Sequence, residues 1–395
     1  MSTTMFSKRV TKRGAAAVVG VASLVGTMAA VSPAAADSED DRPAQIYRVT
    51  VEIDSRSPDN GSALTPFWVG VQDGNFDLYD RGAPLSPAME RIVEDGNIAP
   101  LIGDFAANAT GEDAVVFGPG GPILPRDQAS ETFFVSVERG ERAYFSYAAM
   151  VLPSNDAFVA NGDPKAHLLI DRRGRTRQFR VEIKGGDVLD GGTEVNTEGP
   201  DDTAFLNQTG PDQGIDENGV VTVHPGFNPA QTDPFPNVLG TPRFANADFT
   251  RDGYRVANIR VRAERVRSHV SAELSGDNEV PAVDTNAGGL ARLNIQEDGD
   301  LAFNVRAANI DNLLFGHIHL GAPGENGPVV ATLFNGDISD GGLLRVRGEL
   351  TDADLVGPLA GMSTADLWEI ILDGGAYINI HSTDFPAGEL RANLG

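Results

Sequence analysis

Tyr47-Arg-Val-Thr-Val-Glu-Ile53 is the stretch on which the fold class turns. Apolar side chains at Tyr47, Val49, Val51 and Ile53 alternate with polar ones, the period of a strand with one buried face. Working outward, strand-like runs recur at Phe67–Val71, Thr132–Val137, Tyr144–Val151, His167–Ile170, Phe179–Ile183 and Tyr254–Arg262. The one helix expected in this half is Pro87–Asp95, with Ser86 at its N-cap, Pro87 at the first helical position and Gly96 just past its end. From Gly185 to about Gly240 the periodicity disappears and Asp, Gly, Asn, Pro and Thr dominate. A structureless run of that length is expected to be functional or mobile.

A second series of strands begins near Ser268: Val270–Leu274, Leu290–Ile295, Leu301–Ala307, Gly316–Leu320, Val329–Phe334, Leu343–Leu350, Ala376–His381 and Glu389–Leu394. Eight short strands separated by turns such as Glu297-Asp-Gly-Asp300 suggest a β-sandwich or barrel. Helical insertions are expected near Thr351–Val356, where Thr351 and Asp354 have capping-box spacing, and at Ala365–Leu372. The 45 glycines and 24 prolines among 395 residues fit a chain rich in turns.

Charge narrows the function. The first 36 residues hold four of the 31 basic residues and none of the 56 acidic ones, so the remainder carries −29 against −25 for the whole chain. Such a surface repels phosphate backbones and excludes a nucleic-acid binder. It suits cation binding or solubility in concentrated salt. The absence of cysteine excludes disulfides, thiolate metal sites and Cys nucleophiles. Lys8-Arg9 and Lys12-Arg13 precede an apolar run from Gly14 to Val31 that ends in Ser32-Pro-Ala-Ala-Ala36. That is the order of a secretory leader cleaved after Ala36. The expected product is a secreted, extracellular protein whose mature form does not span a membrane.

Two resemblances cover most of the remaining chain. The first half resembles the spondin N-terminal domain in its bacterial form. It does so through Tyr47–Ile53, Leu85-Ser-Pro-Ala-Met-Glu-Arg-Ile-Val-Glu-Asp-Gly-Asn97, Met150-Val-Leu-Pro-Ser-Asn-Asp-Ala-Phe-Val-Ala160 and Val188-Leu-Asp-Gly-Gly-Thr-Glu194. Asn155 and Ala157 replace the family's Pro and Trp. The second half resembles the CHRD domain, named from chordin. Its marks are Leu274-Ser-Gly-Asp-Asn-Glu-Val-Pro281, Gly316-His-Ile-His-Leu-Gly321, Asn326-Gly-Pro-Val-Val330, Tyr377-Ile-Asn-Ile-His381 and Phe385-Pro-Ala-Gly-Glu-Leu-Arg391. Together these imply a mostly β protein: two antiparallel β-sandwich domains in tandem with a few short helices. The segments are a signal peptide at 1–36, an acidic disordered tail at 37–44, a spondin-like sandwich at 45–265 with a long loop at about 195–242, and a CHRD-like sandwich at 268–395.

The spondin resemblance implies a calcium ion held by Asp156, Asp190 and Glu194. Ca²⁺ takes six to eight oxygens, mixing carboxylates with carbonyls and water. Gly191-Gly192 lets the chain turn tightly between Asp190 and Glu194. Asp212-Gln-Gly-Ile-Asp-Glu-Asn-Gly219 lacks EF-hand spacing and is expected to be a solvated loop. A second candidate is His317, His319 and His381: residues two apart in a strand face the same side, so two imidazoles can share a Zn²⁺ or Cu²⁺ ion with a third from another strand. Hydrogen bonds to carbonyls or to Asn379 explain the same histidines as a structural cluster. His167, His224 and His269 are scattered and need no role. No Gly-x-Ser-x-Gly elbow, phosphate loop or His-Glu-x-x-His helix occurs, and the chain is not expected to be an enzyme. The expected function is non-catalytic binding or adhesion to an extracellular protein or a surface glycan. The alternative is superoxide dismutase-like oxidoreductase chemistry at the histidines.

Overall fold

The computed structural model describes residues 44–210, 213–228, 238–296, 298–336 and 338–395. The expected secretory leader, all but the last residue of the expected acidic tail, and part of the long loop lie outside the described residues. The first half contains β1 (Gln45–Ser55), β2 (Ala63–Leu64), β3 (Phe67–Gln72), α1 (Pro87–Asp95), α2 (Ala99–Asn108), β4 (Gly111–Val116), β5 (Gln128–Val137) and β6 (Ala143–Leu152). β7 (Ala157–Ala160), β8 (Leu168–Ile170), β9 (Phe179–Lys184), β10 (Leu189–Asp190), β11 (Thr222–Val223) and β12 (Arg255–Arg265) complete it.

These strands make two sheets. Four lie in the order β5-β1-β12-β9, and the other eight run along β11-β10-β7-β6-β3-β4, with β2 and β8 also paired to β6. The alternation read at 47–53 is the reason: Tyr47, Val49, Val51 and Ile53 are buried, while Arg48, Thr50 and Glu52 are half-exposed. The buried face meets Val69, Phe145, Ala149 and Val151 of the larger sheet in one core. β6 is buried at all ten positions because its other face is covered too. There Met89, Ile92, Val93, Leu101 and Phe105 of the two helices pack against Trp68, Ala148 and Phe158. The half is thus sheet, sheet and helix layer, a covered sandwich.

α1 starts and stops where its sequence places it. Ser86 Oγ accepts from the Met89 N–H at 3.3 Å, and Gly96, at φ 69°, donates to Ile92 O at 3.0 Å. α2 was not anticipated: Ile98 at its N-cap gives no side-chain hydrogen bond, and Gly103 interrupts its pattern. Packing holds it, since the Phe105 ring lies 5.3 Å from Trp68 and 5.0 Å from Phe76.

The second half comprises β13 (His269–Ser275), β14 (Gly288–Ile295), β15 (Leu301–Ala308), β16 (Leu313–Leu320), β17 (Val329–Asn335), β18 (Leu343–Leu350), α3 (Thr364–Leu372), β19 (Ala376–Ser382) and β20 (Leu390–Leu394). One eight-stranded antiparallel sheet runs β17-β16-β19-β20-β13-β14-β15-β18. It folds over a single core to which every strand contributes, plugged by Leu367, Trp368 and Ile371 of α3. Residues just after β18 return to β17, with Val356 N–H donating to Val330 O at 2.9 Å, so the sheet comes round almost to a barrel. Thr351 and Asp354 form the expected capping box, on a single 3-10 turn at Asp352–Asp354. The halves share a seam. Ile46 is buried in the second core, Phe134 and Val266 pack against it, and Arg48 pairs with both Glu264 and Glu369.

Candidate functional sites

The first site lies where β10 pairs with β7. Their register sets Asp190 opposite Ala157, which brings Asp156, the residue before it, beside Asp190. Gly191-Gly192 then turns the chain, with Gly192 at φ 66° and so close to Val220 that a Cβ would lie 2.6 Å from its nitrogen. Asp156 has no exposed surface. Its Oδ2 accepts from Thr193 N–H at 2.9 Å and Glu194 N–H at 3.3 Å, while its Oδ1 is buried with no partner. Asp190 Oδ1 accepts from Gly192 N–H at 2.9 Å and Oδ2 from Asn196 Nδ2 at 2.7 Å.

Electrostatics agree with that geometry. Burial, and then the neighbouring Asp190 carboxylate, push the Asp156 carboxyl up to about 7. The other charge acting on it is Glu217, also negative.

Asp156, Asp190 and His224 each place a ligand atom within 4.8 Å of the others. His224 therefore has a place in this cluster that its sequence did not suggest. It is nevertheless satisfied: Nδ1 accepts from Gly226 N–H at 3.0 Å, so Nε2 carries the proton and donates to Asn196 Oδ1 at 3.1 Å. Burial lowers its pKa to about 4, keeping the ring neutral. Neither nitrogen has a lone pair to spare, and the ring acts as a wall beside the carboxylates.

Glu194 is not one of the residues that close within that distance. Its Oε1 accepts from Gly214 N–H at 3.0 Å, and its backbone is bridged to Asp216. Its Oε2 is buried without a partner, and burial pushes the carboxyl up to about 7. Expected to be only solvated, the segment from Gly214 to Gly219 exposes the side chains of Ile215, Asp216 and Glu217. Its backbone nevertheless pairs with residues 192–195 and closes over the acids.

The second site lies on the face of the second sheet turned away from its core. In β16, Phe315, His317 and His319 share one side of the strand, while Ile318 enters the core. In β19, Tyr377, Asn379 and His381 share that side, between core residues Ile378 and Ile380. The register pairs Phe315 with His381, His317 with Asn379, and His319 with Tyr377. One ring nitrogen of each histidine lies within 4.8 Å of the others.

His319 Nδ1 donates to Gly327 O at 2.9 Å, and His381 Nδ1 donates to Pro386 O at 3.0 Å. A carbonyl can only accept, so both Nδ1 atoms carry the proton. Both Nε2 atoms are buried with no partner. Burial lowers the pKa of all three rings, His317 to about 4 with help from its two neighbours. Phe315 stacks 4.8 Å from His317, Tyr377 stacks 5.0 Å from His319, and the Arg391 guanidinium lies 3.5 Å over the Tyr377 ring.

The remaining sequence motifs converge on the same face. Glu279 is buried and accepts from Asn379 Nδ2 at 3.3 Å. Glu389 accepts from Thr285 at 2.8 Å and Ser382 at 2.5 Å. Gly388 lets these groups close up, since a Cβ there would meet Asn379 Oδ1 at 2.5 Å and Glu279 Oε1 at 2.8 Å.

Fold and sites define a mostly β chain with one polar centre in each half, the second built on a single rolled antiparallel sheet. Residues 270–394 match the family model of the CHRD domain. The search of curated proteins finds no match. No helix of the described residues is long and apolar enough to cross a membrane.

Proposed function

We propose that this chain is an exported, non-catalytic binding protein whose first half is a spondin-like domain stabilised by calcium. The second half is its CHRD domain, a β-fold domain of a kind often found in extracellular proteins. Export rests on the leader read at residues 1–36. The partner class is an extracellular protein or a surface glycan.

One observation carries the calcium reading: Asp156 is fully buried beside Asp190 with Oδ1 unpartnered, and the charges acting on it are negative. A buried carboxylate in that situation either keeps its proton or meets a cation. The available donors are oxygens, because both His224 nitrogens are engaged. That favours a hard ion with flexible geometry, and Ca²⁺ over Zn²⁺. Asp156 and Asp190 would hold the ion. Its role would be to fix the turn at residues 191–194 and the strap from Gly214 to Gly219 that closes over it.

Calcium titration of the melting temperature tests this. Saturation at a hundredfold over Kd is worth about 2.7 kcal/mol, a rise of about 5–11 °C for a domain of this size. Asp156→Asn should match or exceed the wild type without calcium, because the amide removes a like charge and can donate to Asp190. It should show no rise with calcium. An equal rise in both proteins would refute the site.

A further inference from the structure

We propose that His317, His319 and His381 form a three-nitrogen site for a transition-metal ion, Zn²⁺ or Cu²⁺, with one coordination position left open. The site is separate from the calcium centre and shares no residue with it.

The argument starts from two atoms. His319 and His381 are 9% and 7% exposed, and each spends its Nδ1 proton on a backbone carbonyl. This leaves an Nε2 lone pair on each ring, buried and without a donor. An unmet buried acceptor costs about 1–3 kcal/mol, and here two occur on adjacent strands of one face. Nδ1–H bonded to a carbonyl is also the outer-shell arrangement that fixes the tautomer and orientation of a metal-bound histidine.

The third ring supplies what two cannot. His317 is half-exposed and stands two residues from His319 on β16, with its ring centre 5.8 Å from that of His319 and 5.6 Å from that of His381. Metal–nitrogen distances of about 2.0–2.1 Å in a tetrahedron place ligand nitrogens about 3.3 Å apart. The ring nitrogens already lie within 4.8 Å of one another, so meeting one ion requires them to approach by at most about 1.5 Å. Stacking on Phe315 and Tyr377 restricts the rings to small rotations. The set of three contains imidazoles and no carboxylate, which selects Zn²⁺ or Cu²⁺ and rejects Ca²⁺ and Mg²⁺. Three protein ligands leave the fourth position for water or a partner's donor group, on the half-exposed His317 side.

The test uses full-length protein stripped with chelator and titrated separately with zinc sulfate and copper sulfate, in buffer that keeps calcium saturating. One equivalent per chain is expected, and the copper form should show nitrogen hyperfine structure from imidazole in its electron paramagnetic resonance spectrum. His317→Ala should weaken uptake at least about hundredfold, since second-shell partners alone are worth 10–100-fold. Its metal-free melting should stay within a degree or so of wild type, because a half-exposed ring is removed. Asp156→Asn should take up zinc as wild type does, which separates this site from the calcium centre. No saturable uptake, or equal affinity in wild type and His317→Ala, would overturn the proposal.

Discussion

Asp156 and His319 each leave a buried atom without a partner, and the two atoms call for different ions. At Asp156 it is a carboxylate oxygen next to a second carboxylate, so the deficit is one of positive charge. At His319 it is a neutral lone pair among other imidazoles, so the deficit is a ligand for nitrogen. Glu279 is a third case. Burial pushes its carboxyl up to about 7, only partly offset by the Arg391 charge and the Asn379 hydrogen bond. The folded state therefore holds this proton more tightly than the unfolded chain, whose value is near 4.5. Stability from this group is complete below about pH 4.5 and is lost as pH rises through about 7. Glu279→Gln should retain what the wild type loses between those values, seen as a flatter dependence of the urea midpoint on pH. Identical slopes would show that Glu279 ionises freely. The motif glycine beside it is equally specific: Gly388→Ala drives a methyl into Asn379 and Glu279 and should destabilise by about 1–3 kcal/mol in urea unfolding.

Elements built on local signals were legible in the sequence. α1 and its caps fall where Ser86, Pro87 and Gly96 place them. α3 begins at Thr364 with Ser363 and Asp366 forming a capping box. Ser363→Ala should cost about 1 kcal/mol through the lost bond to Asp366 N–H, measured by thermal unfolding. α2 has no such signal, and only tertiary contact with Trp68 and Phe76 makes it a helix. The run after Gly185 looked structureless because periodicity reports regular apolar faces, whereas its described residues combine scattered apolar contacts with polar ones. Glu198 accepts from Asn228 and Val238 backbone amides, and Glu194 accepts from Gly214. The same limit applies to the sites. Spacing could place His317 and His319 on one side of a strand, yet the pairing that adds His381, and the carbonyls of Gly327 and Pro386 that set the tautomers of His319 and His381, follow no spacing rule. His224 joins Asp156 for a similar reason, through the Asn196 side chain and a backbone amide.

At the scale of the whole molecule, alternation and turn density were enough to read a mostly β chain with two successive strand systems. The seam between them was not readable, because Ile46 looks like any other apolar residue of β1 and yet is buried in the second half's core. Ile46→Ala should cost about 2–5 kcal/mol, and the loss should reach the second half. Trp68 and Trp368 lie buried in different halves, so Trp68→Phe leaves Trp368 as the reporter. In that background Ile46→Ala should lower the urea midpoint followed by Trp368 fluorescence, and an unchanged midpoint would show the halves to be independent. The most direct measurement on the central claim is an anomalous difference map from crystals grown in calcium. The expected result is one peak within about 2.6 Å of Asp156 Oδ1 and an Asp190 oxygen. A featureless map there, with Asp156 facing water or a protonated Asp190, would contradict the account.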